Sequence, residues 1–240
     1  SKPYFNLMYQ TISSILRKSG NLDHKYLRPG TSQKKAVVAI TSNRGLAGGY
    51  NNNIVKLISA ELPIQDTLVY AIGRKGRDGL QRKGFEIKAD YSEVINEPLY
   101  RDAADLTLEL LDSFAIGEIY LAYTSFKNTV THIPKLIKLL PVEMEGGEEE
   151  TGKAHALMTY EPEEEEVLDS IVPKYMSSLI YGALLEAVAS ENGARMTAMD
   201  NATSNAEEMI EVLSLQYNRA RQGAITQELT EIVAGANAIS

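Results

Sequence analysis

The sequence contains no cysteine, no long apolar run and no excess of positive charge. Without cysteine, the chain can form neither a disulfide nor a thiolate-based metal or redox site. No apolar run approaches about 18 residues and no signal peptide opens the chain, so we expect neither a membrane-spanning helix nor secretion. These absences are typical of a cytosolic protein, and 44% hydrophobic residues in 240 are enough for a substantial core.

The net charge of −8 makes the chain acidic, but the acidity is confined to one segment. Residues 142–166 contain ten glutamates and one lysine, which leaves a charge of only +1 on the rest of the chain. No large basic surface for nucleic acid is therefore predicted. The glutamates of 143–166 lack the spacing of an EF-hand, so we interpret this segment as a solvated acidic excursion without a metal.

The residues that usually carry catalysis are few and scattered. The three histidines, His24, His132 and His155, fall in a predicted loop, a predicted strand and the acidic excursion. The chain contains no G-x-S-x-G and no H-E-x-x-H motif, and no two carboxylates stand out as an acid and base pair. We therefore predict no catalytic residue, no metal site and no cofactor.

Apolar runs rich in β-branched residues alternate with helical stretches between residues 34 and 168. The first unit is a strand at 36–41, a glycine-containing turn at 42–51 and a helix at 53–62. This alternation predicts a mostly parallel sheet covered on both faces, which is an α/β domain of Rossmann-like type. The further predicted elements are a strand at 67–72, a helix at 74–83, a strand at 85–89, a helix at 100–114, and strands at 118–124 and 130–140 that form a hairpin at the sheet edge.

The turn Gly45-Leu-Ala-Gly-Gly49 after the first strand raises the question of a phosphate site. Free N–H groups and the helix dipole at such a turn favour anions. The spacing matches neither G-x-G-x-x-G nor G-x-x-x-x-G-K-[ST], and the second strand runs into Gly73-Arg-Lys75 rather than an acidic ribose ligand. A nucleotide-binding enzyme on a Rossmann-like domain with an accessory helix remains the alternative interpretation.

The last part of the chain, 170–240, has the composition of one very long helix. No proline follows Lys174, and the segment is rich in the strong helix formers alanine, leucine, glutamate, methionine, glutamine and arginine. At about 1.5 Å per residue, about 65 residues would extend roughly 100 Å, which exceeds the diameter of a globular domain. Apolar positions recur every three or four residues and predict a coiled-coil seam. The seam comprises Ala202, Ala206, Met209, Leu213, Tyr217, Ala220, Ala224, Ile225, Leu229, Ile232, Ala236 and Ile239.

One stretch of this helix carries only small side chains along one side. Alanine recurs every four residues at Ala194, Ala198, Ala202 and Ala206, so a partner helix could approach closely there. The alternative is a long amphipathic helix that folds back on its own domain, and the length of the segment argues against it.

Several stretches of the chain resemble one known family. The terminal run Ile225-Thr-Gln-Glu-Leu-Thr-Glu-Ile-Val-Ala-Gly-Ala236 is similar to the C-terminal signature of the gamma subunit of F-type ATP synthases. Residues 194–206 and 215–222 resemble the same family, as does the turn at 43–51, which lies in a domain that binds no dinucleotide in that family. The resemblance begins at about residue 35 and continues to the end of the chain.

This resemblance implies a central-stalk subunit that performs no chemistry itself. It would rotate inside a ring of alpha and beta subunits and couple proton translocation to ATP synthesis or hydrolysis at their catalytic sites. Its globular base would lie near the membrane c-ring beside an epsilon subunit, as a peripheral membrane protein at the cytoplasmic face of the cell membrane. The expected partners are therefore the alpha, beta and epsilon subunits and the c-ring, with no nucleic acid and no small-molecule substrate.

The start of the chain is interpreted with the same family. Apolar residues at helical spacing predict a helix over 1–20, with a stop at Ser19-Gly20. The gamma family opens with a long basic helix that forms the other strand of an antiparallel coiled coil. We interpret 1–20 as the end of such a helix and expect its basic beginning to be missing from this sequence.

Four polar residues beside the seam are implied as subunit contacts. Arg221, Gln222, Thr226 and Glu228 match positions at which the gamma family hydrogen-bonds to a loop of a beta subunit. Arginine together with glutamine or glutamate suits such charge-assisted contacts. From the sequence alone, ordinary solvated surface is the alternative.

Overall fold

The computed structural model describes residues 24–27, 32–112, 117–129, 131–142 and 164–239, together with residue 14. The chain divides into two compact units, Ser1–Arg195 and Met196–Ser240. Apart from residue 14, the helix predicted at 1–20 lies outside the described residues. So do residues 143–163 of the predicted acidic excursion 143–166, whereas its last residues, 164–166, are not a loop but the start of a helix. The helices and strands are β1 (Lys35–Ile40), α1 (Tyr50–Glu61), β2 (Thr67–Ile72), α2 (Arg74–Arg82), β3 (Glu86–Asp90), a 3-10 helix (Ser92–Asn96), α3 (Tyr100–Asp112), β4 (Glu118–Phe126), β5 (His132–Leu140) and α4 (Glu164–Ile239).

Five strands form one sheet in the order β3-β2-β1-β4-β5. β1 pairs in parallel with both β2 and β4, and β2 pairs in parallel with β3, whereas β4 and β5 form an antiparallel hairpin. Every residue of β2 and all but the first residue of β1 are buried, as expected for central strands that are covered on both faces. The predicted mostly parallel sheet with an edge hairpin is therefore confirmed.

Helices cover both faces of this sheet. On one face, α1 and α2 contribute Ile54, Ile58 and Leu80 to a core that includes Val37 and Val69 of the central strands. On the other face, α3 and the first part of α4 pack against the opposite side chains of the same strands. The alternation of inward-facing residues along β1 and β2 thus divides between two cores.

The first part of α4 is a core helix. Its inward residues recur every three or four positions and have no exposed surface, which is the pattern of a helix packed along one side. They are Leu168, Val172, Met176, Ile180, Leu184 and Ala187.

The helix α4 begins earlier than the sequence indicated. It starts at Glu164 rather than at residue 170, and Pro173 lies inside it. A proline inside a helix removes one hydrogen bond and costs about 3 kcal/mol or more. Burial of Leu168 and Val172, which precede this defect, contributes about 1.5–3 kcal/mol for each side chain, which offsets that cost.

A glycine lets α2 approach the end of β1 closely. Gly73 has a φ of +99°, and a Cβ at this position would lie 2.2 Å from the carbonyl oxygen of Thr41. The Thr41 hydroxyl donates to the carbonyl of Gly73 at 3.1 Å and accepts from the N–H of Gly76 at 2.8 Å. Any side chain at Gly73 would therefore both adopt an unfavourable φ and push these two segments apart.

We expect Gly73→Ala to lower the free energy of unfolding by more than about 3 kcal/mol, since steric overlap adds to the backbone strain. Gly48→Ala is the matched control, because Gly48 also has a positive φ, +55°, but a Cβ there meets no atom within 4 Å. The control should lose only about 1–2 kcal/mol. Urea unfolding followed by near-UV circular dichroism measures both, and equal losses would contradict the role of close packing.

Candidate functional site

The second unit of the chain consists of helix alone and exposes its apolar residues. From Met199 to Ala238 every residue is exposed, and Met209 and Tyr217 expose 68% and 66% of their surface. We call residues 196–239 the exposed helix. A single helix gains little stability in water without a packing partner, and apolar surface on this scale marks an interaction site.

Apolar side chains of the exposed helix extend beyond the predicted seam. Met209 and Leu213 belong to the seam, but Ile210, Val212 and Leu215 are also exposed and lie on other sides of the helix. At about 100° per residue, these five side chains are spread over most of the helix circumference. A helix that is apolar on several sides is one that becomes surrounded in its functional state. The predicted seam does not include Ile210, Val212 and Leu215, although their spacing is visible in the sequence.

The four predicted contact residues lie in two pairs on this surface. Gln222 and Thr226 are four residues apart and share one side of the helix, whereas Arg221 and Glu228 are seven residues apart and share another. All four are exposed. Within the described part of the chain, the side chains of Arg221, Gln222 and Glu228 make no hydrogen bond or ion pair, so they are available to a partner.

The turn between β1 and α1 caps the neighbouring helix α2. The N–H of Arg74 donates to the side-chain oxygen of Asn43 at 3.0 Å, and the N–H of Lys75 donates to the carbonyl of Ser42 at 3.0 Å. The next N–H, that of Gly76, donates to the Thr41 hydroxyl at 2.8 Å. The first-turn N–H groups of α2 are therefore already bonded within the protein.

Two asparagines hold this turn in place. The Asn51 side chain accepts from the N–H of Ser42 at 2.8 Å and donates to the Ser42 hydroxyl at 2.8 Å. The Asn43 side chain donates to the carbonyl of Ser92 at 2.7 Å. Side-chain amides near a turn commonly replace backbone partners in this way. The glycines of this turn were singled out in the sequence, whereas the structural role of Asn43 and Asn51 was not predicted.

The described residues contain neither a group of metal ligands nor a membrane-spanning helix. In that part of the chain, no three or more histidines and carboxylates are grouped so that they could hold a metal ion. None of the helices described is both long enough and apolar enough to cross a membrane.

Comparison with known proteins identifies the family. A family model described as "ATP synthase" matches residues 1–239. The ATP synthase gamma chain of Lachnoclostridium phytofermentans is 60% identical over 250 residues, covering 100% of this chain and 86% of its own length. A gamma chain of Acetobacterium woodii described as sodium ion specific is 40% identical over 259 residues, with 100% and 86% of the two chains covered.

Solved structures share the fold at lower identity. A chain of the Euglena gracilis mitochondrial ATP synthase (OSCP/F1/c-ring, rotational state 3) superimposes with a TM-score of 0.68 at 19% identity, covering 99% of this chain and 88% of its own. A chain of the Tetrahymena thermophila mitochondrial ATP synthase (central stalk/c-ring) gives 0.59 at 24%, covering 80% and 86%. The full-length family match and the 60% identical relative show that this chain belongs to the ATP synthase gamma chain family.

Proposed function

We propose that this chain is the central-stalk subunit of a rotary ATP synthase, the rotating shaft that couples ion translocation to ATP synthesis or hydrolysis. The observation that carries this proposal is the exposed helix, whose apolar residues lie on several sides and have no packing partner within the described residues. A surrounding ring of subunits would bury this surface. Membership of the gamma chain family supports the same role.

The mechanism is one of changing contacts rather than of chemistry. A helix with different side chains on each side binds one conformation of a surrounding subunit better than the others. When it turns, the favoured subunit changes, and so do the relative affinities of the catalytic sites on the ring. In this proposal the alpha and beta subunits perform the catalysis and the gamma chain contributes no catalytic residue.

The partners follow from the same role. The alpha and beta subunits surround the exposed helix, while the α/β domain faces the membrane c-ring together with an epsilon subunit. The structures with the same fold are named as parts of assemblies that contain F1 and a c-ring, or a central stalk and c-ring. We place the protein at the cytoplasmic face of the cell membrane, as a peripheral subunit.

The coupling ion is a separate part of the proposal. We propose the proton, although a relative that is 40% identical is named sodium ion specific. Gamma chains with and without the description sodium ion specific are both similar to this chain, and we therefore propose that other subunits select the ion.

The first prediction concerns contacts between the exposed helix and a beta subunit. We expect Arg221→Ala combined with Gln222→Ala to lower ATP synthesis and hydrolysis by the reconstituted complex about tenfold or more, since each hydrogen bond to a charged group is worth about 1.5–3 kcal/mol. The α/β domain should stay folded, because both side chains are exposed in the other unit.

The matched control is Arg219→Ala combined with Gln216→Ala. It removes the same two residue types from the same helix, and Arg219 lies about 200° around the axis from Arg221. Full coupled activity in the Arg221 and Gln222 variant would show that these side chains are not used, and an equal loss in the control would show that position on the helix is unimportant.

The second prediction concerns the alanine row of the coiled-coil seam. We expect Ala202→Glu to weaken assembly of the complex by roughly 1–3 kcal/mol, because a larger charged side chain cannot be accommodated against a closely packed helix. Ser204→Glu adds the same charge on the opposite side of the helix and should have little effect. Native mass spectrometry of the assembled complex measures both, and an unchanged complex with Ala202→Glu would contradict close helix packing at this row.

The third prediction concerns the alternative of a nucleotide-binding enzyme. We expect no binding of ATP, ADP or NAD to the isolated chain in isothermal titration, because the glycines of the turn Gly45–Gly49 match neither nucleotide-binding spacing. Micromolar binding that is lost in Gly49→Val would overturn this expectation and place a nucleotide at the turn between β1 and α1.

A further inference from the structure

The α/β domain grips α4 at residues 186–190, within the first compact unit. Two separate parts of the domain make hydrogen bonds there, the β4–β5 hairpin and the start of α1. We call these contacts the collar. The collar consists of Thr124, Ser125, Phe126 and Tyr50 on the domain and of Glu186, Ala187 and Ser190 on α4.

The hairpin contributes three of these hydrogen bonds. The Ser125 hydroxyl and the Phe126 N–H both donate to the Glu186 carboxylate, at 2.7 and 3.2 Å. The Ser190 hydroxyl, which is fully buried, donates to the carbonyl of Thr124 at 3.1 Å. The Glu186 carboxylate therefore bonds to both the backbone and a side chain at the end of β4, and Ser190 bonds to the same strand one helical turn later.

The hairpin also lies very close to α4 just beyond these bonds. Gly193 is buried, and a Cβ at this position would come within 2.7 Å of the His132 imidazole and 3.2 Å of the Thr129 carbonyl. Only glycine fits at this spacing without a shift of the hairpin. No role was predicted for this glycine from the sequence.

The start of α1 holds α4 from a second direction. The Tyr50 hydroxyl donates to the carbonyl of Ala187 at 3.1 Å, and Tyr50 is only 4% exposed. Burial raises the pKa of this hydroxyl, so it remains a neutral donor at physiological pH. A bond from a side chain to the backbone of a helix fixes the helix itself, because it does not depend on the rotamer of a side chain of α4.

The two sets of bonds lie on different sides of the helix. At about 100° per residue, Glu186 and Ser190 are about 40° apart, and Ala187 lies about 60° further around the axis. A helix held along a single line can roll about that line. Bonds from two independent elements, separated by about 100° in total, oppose rotation of α4 about its own axis within the domain.

We propose that the collar transmits torque between the α/β domain and α4, with Tyr50 and Ser190 as positioning residues that fix the rotational setting of the helix. This inference rests on the proposed rotary function. A shaft that could turn within its own base would lose angular precision under load. The collar lies near the end of the first compact unit, and just beyond it the Arg195 guanidinium donates to the Gly45 carbonyl of the turn between β1 and α1 at 3.4 Å.

A control within the same helix separates this role from simple stabilisation of the fold. The Ser177 hydroxyl, like that of Ser190, is buried and bonds to the domain, in this case to the Thr107 hydroxyl at 3.0 Å. Ser177→Ala and Ser190→Ala therefore remove the same group from similar environments. They differ in position, because Ser177 lies more than three helical turns before Ser190.

The test measures angular fluctuation in the assembled complex. Because the chain has no cysteine, a single Lys83→Cys on the exposed end of α2 can carry a rod for single-molecule rotation, with the catalytic ring fixed to the surface. A hydrogen bond is worth only one to a few times the thermal energy. We therefore expect Tyr50→Phe with Ser190→Ala to raise the angular variance during catalytic dwells by about a factor of two while rotation continues.

Ser177→Ala should leave the variance unchanged, and Ser190→Ala alone should raise it if Tyr50→Phe prevents assembly. Rotation with unchanged variance in the collar variants would overturn the torque role of the collar, as would an equal rise in Ser177→Ala. A complex that hydrolyses ATP without any rotation of this chain would instead overturn the proposed rotary function.

Discussion

The burial of one side of α4 against the sheet is the interaction on which the rest of this structure depends. Between Leu168 and Ala187, side chains spaced by three and four residues lose all their exposed surface to the core of the α/β domain. This packing is strong enough to carry the helix through Pro173, where local propensity opposes it. Nothing comparable supports residues 199–238, all of which are exposed. One helix thus has two kinds of apolar surface. The first is buried by the chain's own α/β domain, and the second would be buried only by partner subunits.

Polar side chains of the turn between β1 and α1 hold the neighbouring helix α2 in place. A turn with three glycines between a strand and a helix is where many α/β proteins bind phosphate. Here Thr41, Ser42 and Asn43 occupy the first-turn donors of α2, and Asn51 braces the turn from behind. The arrangement therefore uses the geometry of a nucleotide-binding fold to fix the position of helices. This fits a subunit whose work is mechanical.

Hydrogen bonds from the β4–β5 hairpin and from α1 likewise position α4. Glu186 accepts from Ser125 and Phe126, Ser190 and the backbone of Ala187 bond to Thr124 and Tyr50, and Gly193 allows the hairpin to lie against the helix. Individually these bonds contribute little to the free energy of unfolding, about 1 kcal/mol each. Their importance lies in direction, because bonds from two sides of α4 add an angular restraint to the packing of its apolar side.

The sequence by itself determined the order of strands and helices, the edge hairpin and the long C-terminal helix, because these depend on local periodicity and on turn residues. It also determined the family, since the run from Ile225 to Ala236 is specific. Only the tertiary structure decided that α4 begins at Glu164, so that Pro173 lies in its interior, since burial of Leu168 and Val172 is a long-range effect that a local helix signal does not contain. It likewise decided that Asn43 caps α2 and that Tyr50 reaches Ala187, residues 31 and 137 positions apart. Contacts across such separations depend on how the elements are packed, and no pattern of neighbouring residues encodes them.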